Sequence, residues 1–202
     1  MKTLFVLMIL AAVVNSALGQ TQSDVRAGEK CSLTIAQSPA IRGLKLGMGV
    51  EEVLRQFPGS SDEPHIRAAV SGADKEFGIA RISLPTRPHA SESKFAGISA
   101  LSLEFLDSRL SSLWVQYAGP EWRGVDEFIS RLSGPFNLPG PNSWEPANAV
   151  DQKTLKCAGF EIRVSAGGPT LNSVLLRNPA VEQIVRNRKE EVKERARQAF
   201  KP

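Results

Sequence analysis

The sequence predicts an α+β fold made of two tandem units, each a helix followed by an antiparallel meander, with a long helix at the C-terminus. Three observations carry this expectation. The segment Gly49-Val50-Glu51-Glu52-Val53-Leu54-Arg55-Gln56-Phe57 returns 75 positions later as Gly124-Val125-Asp126-Glu127-Phe128-Ile129-Ser130-Arg131-Leu132. Each copy is followed by short runs in which apolar and polar residues alternate, the two-residue period of a half-buried strand. The chain then closes on a stretch from Pro179 to Lys201 with an apolar stripe at helical spacing. Helix then strands, met twice, belongs to the α+β class. The alternative is a chance likeness between two amphipathic helices.

Taken in order, Met1-Lys2, the apolar run from Leu4 to Val14 and the small residues of Ala17-Leu18-Gly19 read as a signal peptide over residues 1–19, cleaved before Gln20. The run is short for a bilayer span, which leaves a retained anchor as the lesser alternative. No later segment is apolar enough to cross a membrane, so no transmembrane segment is expected after cleavage. Residues 20–30 are small and polar, a flexible leader.

The first unit is expected over residues 31–120. Cys31 to Ile35 reads as an edge strand, and Val50, Val53, Leu54 and Phe57 form the apolar face of a helix stopped by Pro58-Gly59. A strand follows over Phe77 to Leu84. The clearest hairpin pairs Leu101, Leu103 and Phe105 with Leu113, Val115 and Tyr117 around a turn at Asp107-Ser108.

The second unit, residues 121–178, has a helix from Val125 to Leu132, broken by Gly134-Pro135, and a Pro-rich loop through Pro146. Strands follow around Phe160 to Val164 and from Ser173 to Leu176, joined by a Gly167-Gly168-Pro169 turn. Residues 179–202 form the basic C-terminal helix, with Val181, Ile184, Val185 and Val192 on one side. Its first two turns are expected to dock and the rest to project, with Glu191 and Arg195 placed for an i, i+4 pair.

The net charge of +4 falls by one when Lys2 leaves with the signal, too mild for a protein whose main partner is nucleic acid. The two cysteines, Cys31 and Cys157, are expected to pair as a disulfide in an exported, periplasmic or secreted chain. A metal pair or a reactive thiol is the competing reading, and no His or carboxylate cluster accompanies them. Cys157 is on the opposite parity from Phe160, Ile162 and Val164. That requires either a β-bulge at Ala158-Gly159 or a cysteine on the sheet face away from the core.

Catalytic, metal and cofactor signatures are absent from the sequence. His65 and His89 sit in polar, Pro-flanked sequence without metal-ligand spacing. Gly47-Met48-Gly49 lacks the third glycine of a dinucleotide fingerprint. Glu51 with Glu52, and Asp126 with Glu127, have the form of paired carboxylates, but their place in a first helical turn accounts for them as caps. A hydrolase with carboxylates that converge from distant positions remains a minor alternative.

Three features point to binding. Trp114 falls on the parity opposite Leu113 and Val115, facing away from the apolar side of the hairpin. With Tyr117, Trp122 and Trp144 it makes a candidate protein-partner surface; cover by the C-terminal helix or the Pro-rich loop is the alternative for Trp114. The polar loop from Pro85 to Lys94 is either functional or disordered. From Arg186 to Lys201 there are seven basic and three acidic residues, so Arg186, Arg188, Lys189, Arg195 and Arg197 are candidates for an anionic envelope surface of lipid or polymer. A solvated helix of mixed charge is the competing account.

Gly43-Leu44-Lys45-Leu46-Gly47-Met48-Gly49-Val50-Glu51-Glu52-Val53 resembles the Leu-x-x-Gly-Met-Thr-x-x-x-Val signature of small outer-membrane assembly lipoproteins of the SmpA/OmlA type. The tandem copy is similar to the repeat fold of β-lactamase inhibitory protein. Gly49 stands where those lipoproteins have Thr, and their lipid-bearing Cys is missing. The resemblance implies helices on an antiparallel sheet used as a scaffold for protein contacts, and it brings no catalytic residues. The expectation is thus an exported, non-catalytic binding or assembly-scaffold protein of the cell envelope that meets a protein through its sheet face.

Overall fold

A computed structural model describes residues 31–72, 76–84, 95–168 and 171–200. The signal peptide, the leader, His89 and the loop from Pro85 to Lys94 lie outside the described residues.

The first helix, α1, spans Val50–Leu54 and buries Val50, Val53 and Leu54. It is shorter than its apolar stripe. After Leu54 the α-helical bonding gives way to tighter turns, the Gln56 amide donating to the Val53 carbonyl and the Phe57 amide to the Leu54 carbonyl, both at 2.9 Å, and Phe57 still reaches the core, at 1% exposure. The start of α1 is pinned to the tip of a hairpin, where the Val50 amide donates to the Ser108 carbonyl at 3.0 Å and the Leu110 amide to the Met48 carbonyl at 2.8 Å. A second helix, α2 (Pro64–Ser71), was not expected; it contains His65, which is therefore helical rather than in a loop. Pro64 occupies its first turn, where a missing N–H leaves no bond unmade, and Ile66 is buried with Ala69 and Val70 packed on the core.

Strands β1 (Ile79–Leu84), β2 (Ile98–Leu106) and β3 (Arg109–Tyr117) form an antiparallel meander. The β2–β3 turn is the one read from the sequence. Asp107 (φ 49°) and Ser108 (φ 63°) both take left-handed geometry, the two-residue turn whose twist matches a hairpin. Leu101, Leu103, Phe105, Leu113 and Val115 all join the main core, as their alternation predicts.

The second half adds α3 (Val125–Phe136), β4 (Glu145–Pro146), β5 (Gln152–Lys156), β6 (Glu161–Ala166) and β7 (Asn172–Arg177). Strand β5 was missed because Gln152-Lys153-Thr154-Leu155-Lys156 carries one apolar residue, too few for a pattern. All seven strands belong to one antiparallel sheet in the order β1-β2-β3-β7-β6-β5-β4, so the third strand of each meander meets the other at the centre. Helix α3 runs through Pro135 instead of breaking before it. Pro135 lies in the last turn, where a missing N–H removes a single bond, and Asn137 (φ 51°) then stops the helix in left-handed geometry.

Cys31 and Cys157 form a disulfide across 126 positions. The expected edge strand at Cys31 reduces to a single bridge to Cys157, followed by a helical turn over Ile35–Gln37. Cys157 lies in neither a bulge nor an outward strand position. It opens the tight turn between β5 and β6, its amide donating to the Phe160 carbonyl at 2.9 Å, and both sulfur residues pack on the core. Parity across 157–164 fails because β6 begins only at Glu161.

The last helix, α4 (Ala180–Ala199), leaves the end of β7 and reaches the β2–β3 turn. Val181 is buried and residues 193–200 are exposed, but Ile184 of the expected apolar stripe is exposed too, at 38%, so less of the helix docks than the two turns expected. Its ion pairs are Glu190–Lys193 and Glu194–Arg197; the expected Glu191–Arg195 pair is not formed among the described residues. In its third turn, Arg188 holds Asp107 with two bonds, Nη1–Oδ1 at 2.9 Å and Nη2–Oδ2 at 2.7 Å, and donates to the Phe77 carbonyl at 2.8 Å. Gly78 permits this approach, since a Cβ there would sit 2.2 Å from Asp107 Oδ1 and 2.6 Å from Arg188 Nη1.

The hydrogen bonds from Arg188 hold the Asp107 carboxyl below its ordinary value, against a small opposing effect of burial. A lowered folded value gives a contribution that is complete above the ordinary carboxylate range and lost as pH falls below it. Acidification through that range, or Asp107→Asn at neutral pH, is therefore expected to loosen α4 around Arg188, while the buried Val181 keeps its first turn docked. Faster amide exchange over 186–193 with unchanged protection in β2 and β3 is the expected result. Unchanged exchange in α4 would contradict it.

Candidate functional site

The sheet has two unlike faces. One carries α1, α2 and α3 and the main core. The other presents the alternate side chains of each strand, most of them half-exposed. Register sorts this open face into three rows. The first is ionic: Arg81, Glu104, Ser112, Arg177, Glu161 and Lys156 lie side by side across six strands. Within it Arg81 meets Glu104 at 2.7 Å and Arg177 meets Glu161 at 3.1 Å, while Lys156 turns to Glu145 on β4 at 2.7 Å. Arg177 also pairs with Glu182, tying the first turn of α4 to this end of the sheet.

The middle row is Ser102, Trp114, Leu175, Arg163 and Thr154. The third row, Gln116, Ser173, Ser165 and Gln152, lies at the end of the sheet away from α4. Trp114 and this third row floor a hollow of about 380 Å³, walled by the turn at Ala149 to Asp151 and by Gly167 and Leu171. The wall at Ala149 to Asp151 is fixed by backbone bonds: the Ala166 amide donates to the Asp151 carbonyl at 3.0 Å and the Gln152 amide to the Ala149 carbonyl at 3.2 Å. Two apolar side chains stand out into water at its rim, Val150 at 97% exposure and Leu171 at 59%.

Of the four aromatics proposed from sequence, the fold brings only Trp114 to this face. Trp144 is a core residue at 4% exposure, its indole N–H donating to the Pro139 carbonyl at 3.0 Å, and so is closed to any partner. Trp122 stacks on Phe128 of α3 with ring centroids 5.5 Å apart, and Tyr117 meets the same ring edge-on at 6.1 Å. Burial pushes the Tyr117 phenol up despite the Arg42 guanidinium beside it. Trp144 belongs to the core, while Tyr117 and Trp122 pack against its edge, half-exposed, on Phe128 and away from the open face.

The basic residues of α4 are also divided. Arg188 is committed to Asp107, Arg197 pairs with Glu194, and Lys189 lies 5.7 Å from the centre of the Phe77 ring. Arg186 and Arg195 carry no ion pair among the described residues.

The acidic pairs at the helix starts diverge. Glu127 turns back to accept from the Arg123 amide at 3.0 Å, and that bond lowers its carboxyl below the usual range. Asp126 instead takes Lys153 at 2.6 Å. Both acids have structural partners, as helix-start residues do. In the hollow the single carboxylate is Asp151.

Val150, Asp151 and Leu171 escaped the sequence reading. The available signal was an aliphatic residue placed inside each of two polar turns, Ala147 to Asp151 and Gly167 to Leu171, where packing cannot account for it. Compared with known proteins, the chain matches no family model, no curated protein and no solved structure.

Proposed function

We propose that this is an exported, non-catalytic binding protein of the cell envelope that meets a protein partner through the open face of its sheet, at the hollow around Trp114. One observation carries the reading: a half-buried tryptophan flanked by two exposed aliphatic side chains, Val150 and Leu171, on a preformed concave surface. An aromatic anchor in a pocket, ringed by apolar contacts, is the arrangement in which a few residues dominate association energy. The disulfide and the absence, among the described residues, of a helix long and apolar enough to cross a membrane are compatible with export. A tandem scaffold draws support from two features. The repeated Gly-Val-acid segments both open helices on the core face, and the meanders abut third strand to third strand. Hydrolysis by paired carboxylates is disfavoured at this hollow, where Asp151 stands without a second acid.

The test is affinity capture from envelope extract with wild-type, Trp114→Ala and Val150→Glu baits, followed by mass spectrometry and measured affinity for the recovered protein. Loss of about 2 kcal/mol, roughly thirty-fold in Kd, is expected for Trp114→Ala. Equal recovery by all three baits would reject the reading.

A further inference from the structure

The chemistry lining the hollow narrows what the partner presents there. Asp151 contributes the one formal charge, and no Lys or Arg lines the hollow, although the chain as a whole carries a net charge of +4. The same hollow is lined by Trp114 and by Gln152, whose side-chain amide oxygen is an acceptor. An indole face attracts a cation through its quadrupole, and a carboxylate completes the charge pairing. An acidic segment would instead meet Asp151 as a like charge. The exposed rim of Val150 and Leu171 matches a methylene stem or an apolar neighbour, and it offers a phosphate no donor.

Resting on the proposed sheet-face function, we infer that the hollow receives an arginine or lysine side chain from an apolar loop of the partner protein. The cation lies against the Trp114 ring and the Asp151 carboxylate, and the stem and its apolar neighbour cover Val150 and Leu171. Volume permits this, because about 380 Å³ is at the scale of sites that enclose a small group. The turn that carries Val150 and Asp151 needs little reorganisation, because it is already held by backbone hydrogen bonds to β6 and within residues 149–152.

The probe is a library of random dodecapeptides displayed on phage and selected against the purified chain, the best sequence then being made synthetically. Peptides with Arg or Lys beside an apolar residue are expected, with binding read as a change in tryptophan fluorescence that disappears in Trp114→Phe. Replacing the peptide's arginine by citrulline, its uncharged isostere, is expected to weaken binding about ten-fold, and Asp151→Lys to abolish it. Asp151 lies in an exposed turn, so an unchanged unfolding midpoint separates loss of binding from loss of fold. If selected peptides need Trp114 but bind equally with citrulline, or show no basic preference, the basic-side-chain inference is overturned while the sheet-face function stands. If no selected peptide depends on Trp114, or neutral oligosaccharides compete for the hollow, both fall.

Discussion

Replacing Cys31 and Cys157 together by alanine is expected to lower the unfolding free energy by about 4–5 kcal/mol, a large share of the total stability of a domain this size. The bond joins residues 126 positions apart, so the unfolded chain loses the freedom of almost the whole described sequence when it is closed. The folded state depends on it too. The disulfide fixes one end of the strap from Cys31 to Gln37, which is also tied to the β5–β6 turn by a bridge at Cys157 and by the Gly159 amide donating to the Leu33 carbonyl at 3.3 Å, and to Lys45, whose Nζ donates to the Ala36 carbonyl at 2.6 Å. Gly159 leaves no room for a side chain there: a Cβ would sit 2.3 Å from the Ile35 nitrogen. Urea unfolding of the wild type, oxidised and reduced, beside the double variant measures the effect. A difference under about 1 kcal/mol would show that residual structure in the reduced chain does the same work.

Phe57→Ala should cost about 3–5 kcal/mol, the range for removing a buried aromatic ring. Phe57 and Phe95 are 1% and 0% exposed, with ring centroids 4.5 Å apart and planes tilted by 30°. Truncation would leave a cavity against Phe95 and withdraw the contact that links the chain after α1 to the segment entering β2. Phe57→Leu keeps most of the volume and should cost less than half as much. Phe200→Ala, at a residue 74% exposed, should stay within about 0.5 kcal/mol. Chemical denaturation of the three variants decides it; equal midpoints for Phe57→Ala and Phe200→Ala would contradict the packing described.

Where sequence reading succeeded and where it failed follows from the range of the interactions involved. The β2–β3 hairpin was legible because alternation and a two-residue turn are both local. Trp114 was placed on the correct face for the same reason. The apolar stripe of α1 was legible as core, but its helical extent was not. Phe57 is buried whether or not the last turn stays helical, so periodicity reports the burial and overstates the helix. Helix α2 was hidden by exposed polar neighbours around a stripe of only Ile66, Ala69 and Val70. Trp144 shows the opposite failure: an aromatic in a Pro-rich loop reads as surface, and only the folding of that loop, with the indole N–H on the Pro139 carbonyl, reveals that it is core.

By itself, then, the amino-acid sequence determined the fold class, the cysteine pairing, the central hairpin and the outward direction of Trp114, all through spacing and composition along a short stretch of chain. Tertiary structure alone decided that β3 lies against β7. That pairing sets Trp114 beside Leu175, and the β5–β6–β7 register carries two turns, at Val150 and at Leu171, to the same hollow. The reason is physical: contacts between strands some sixty residues apart depend on register and loop closure, and neither leaves a periodic trace in the residues that make them.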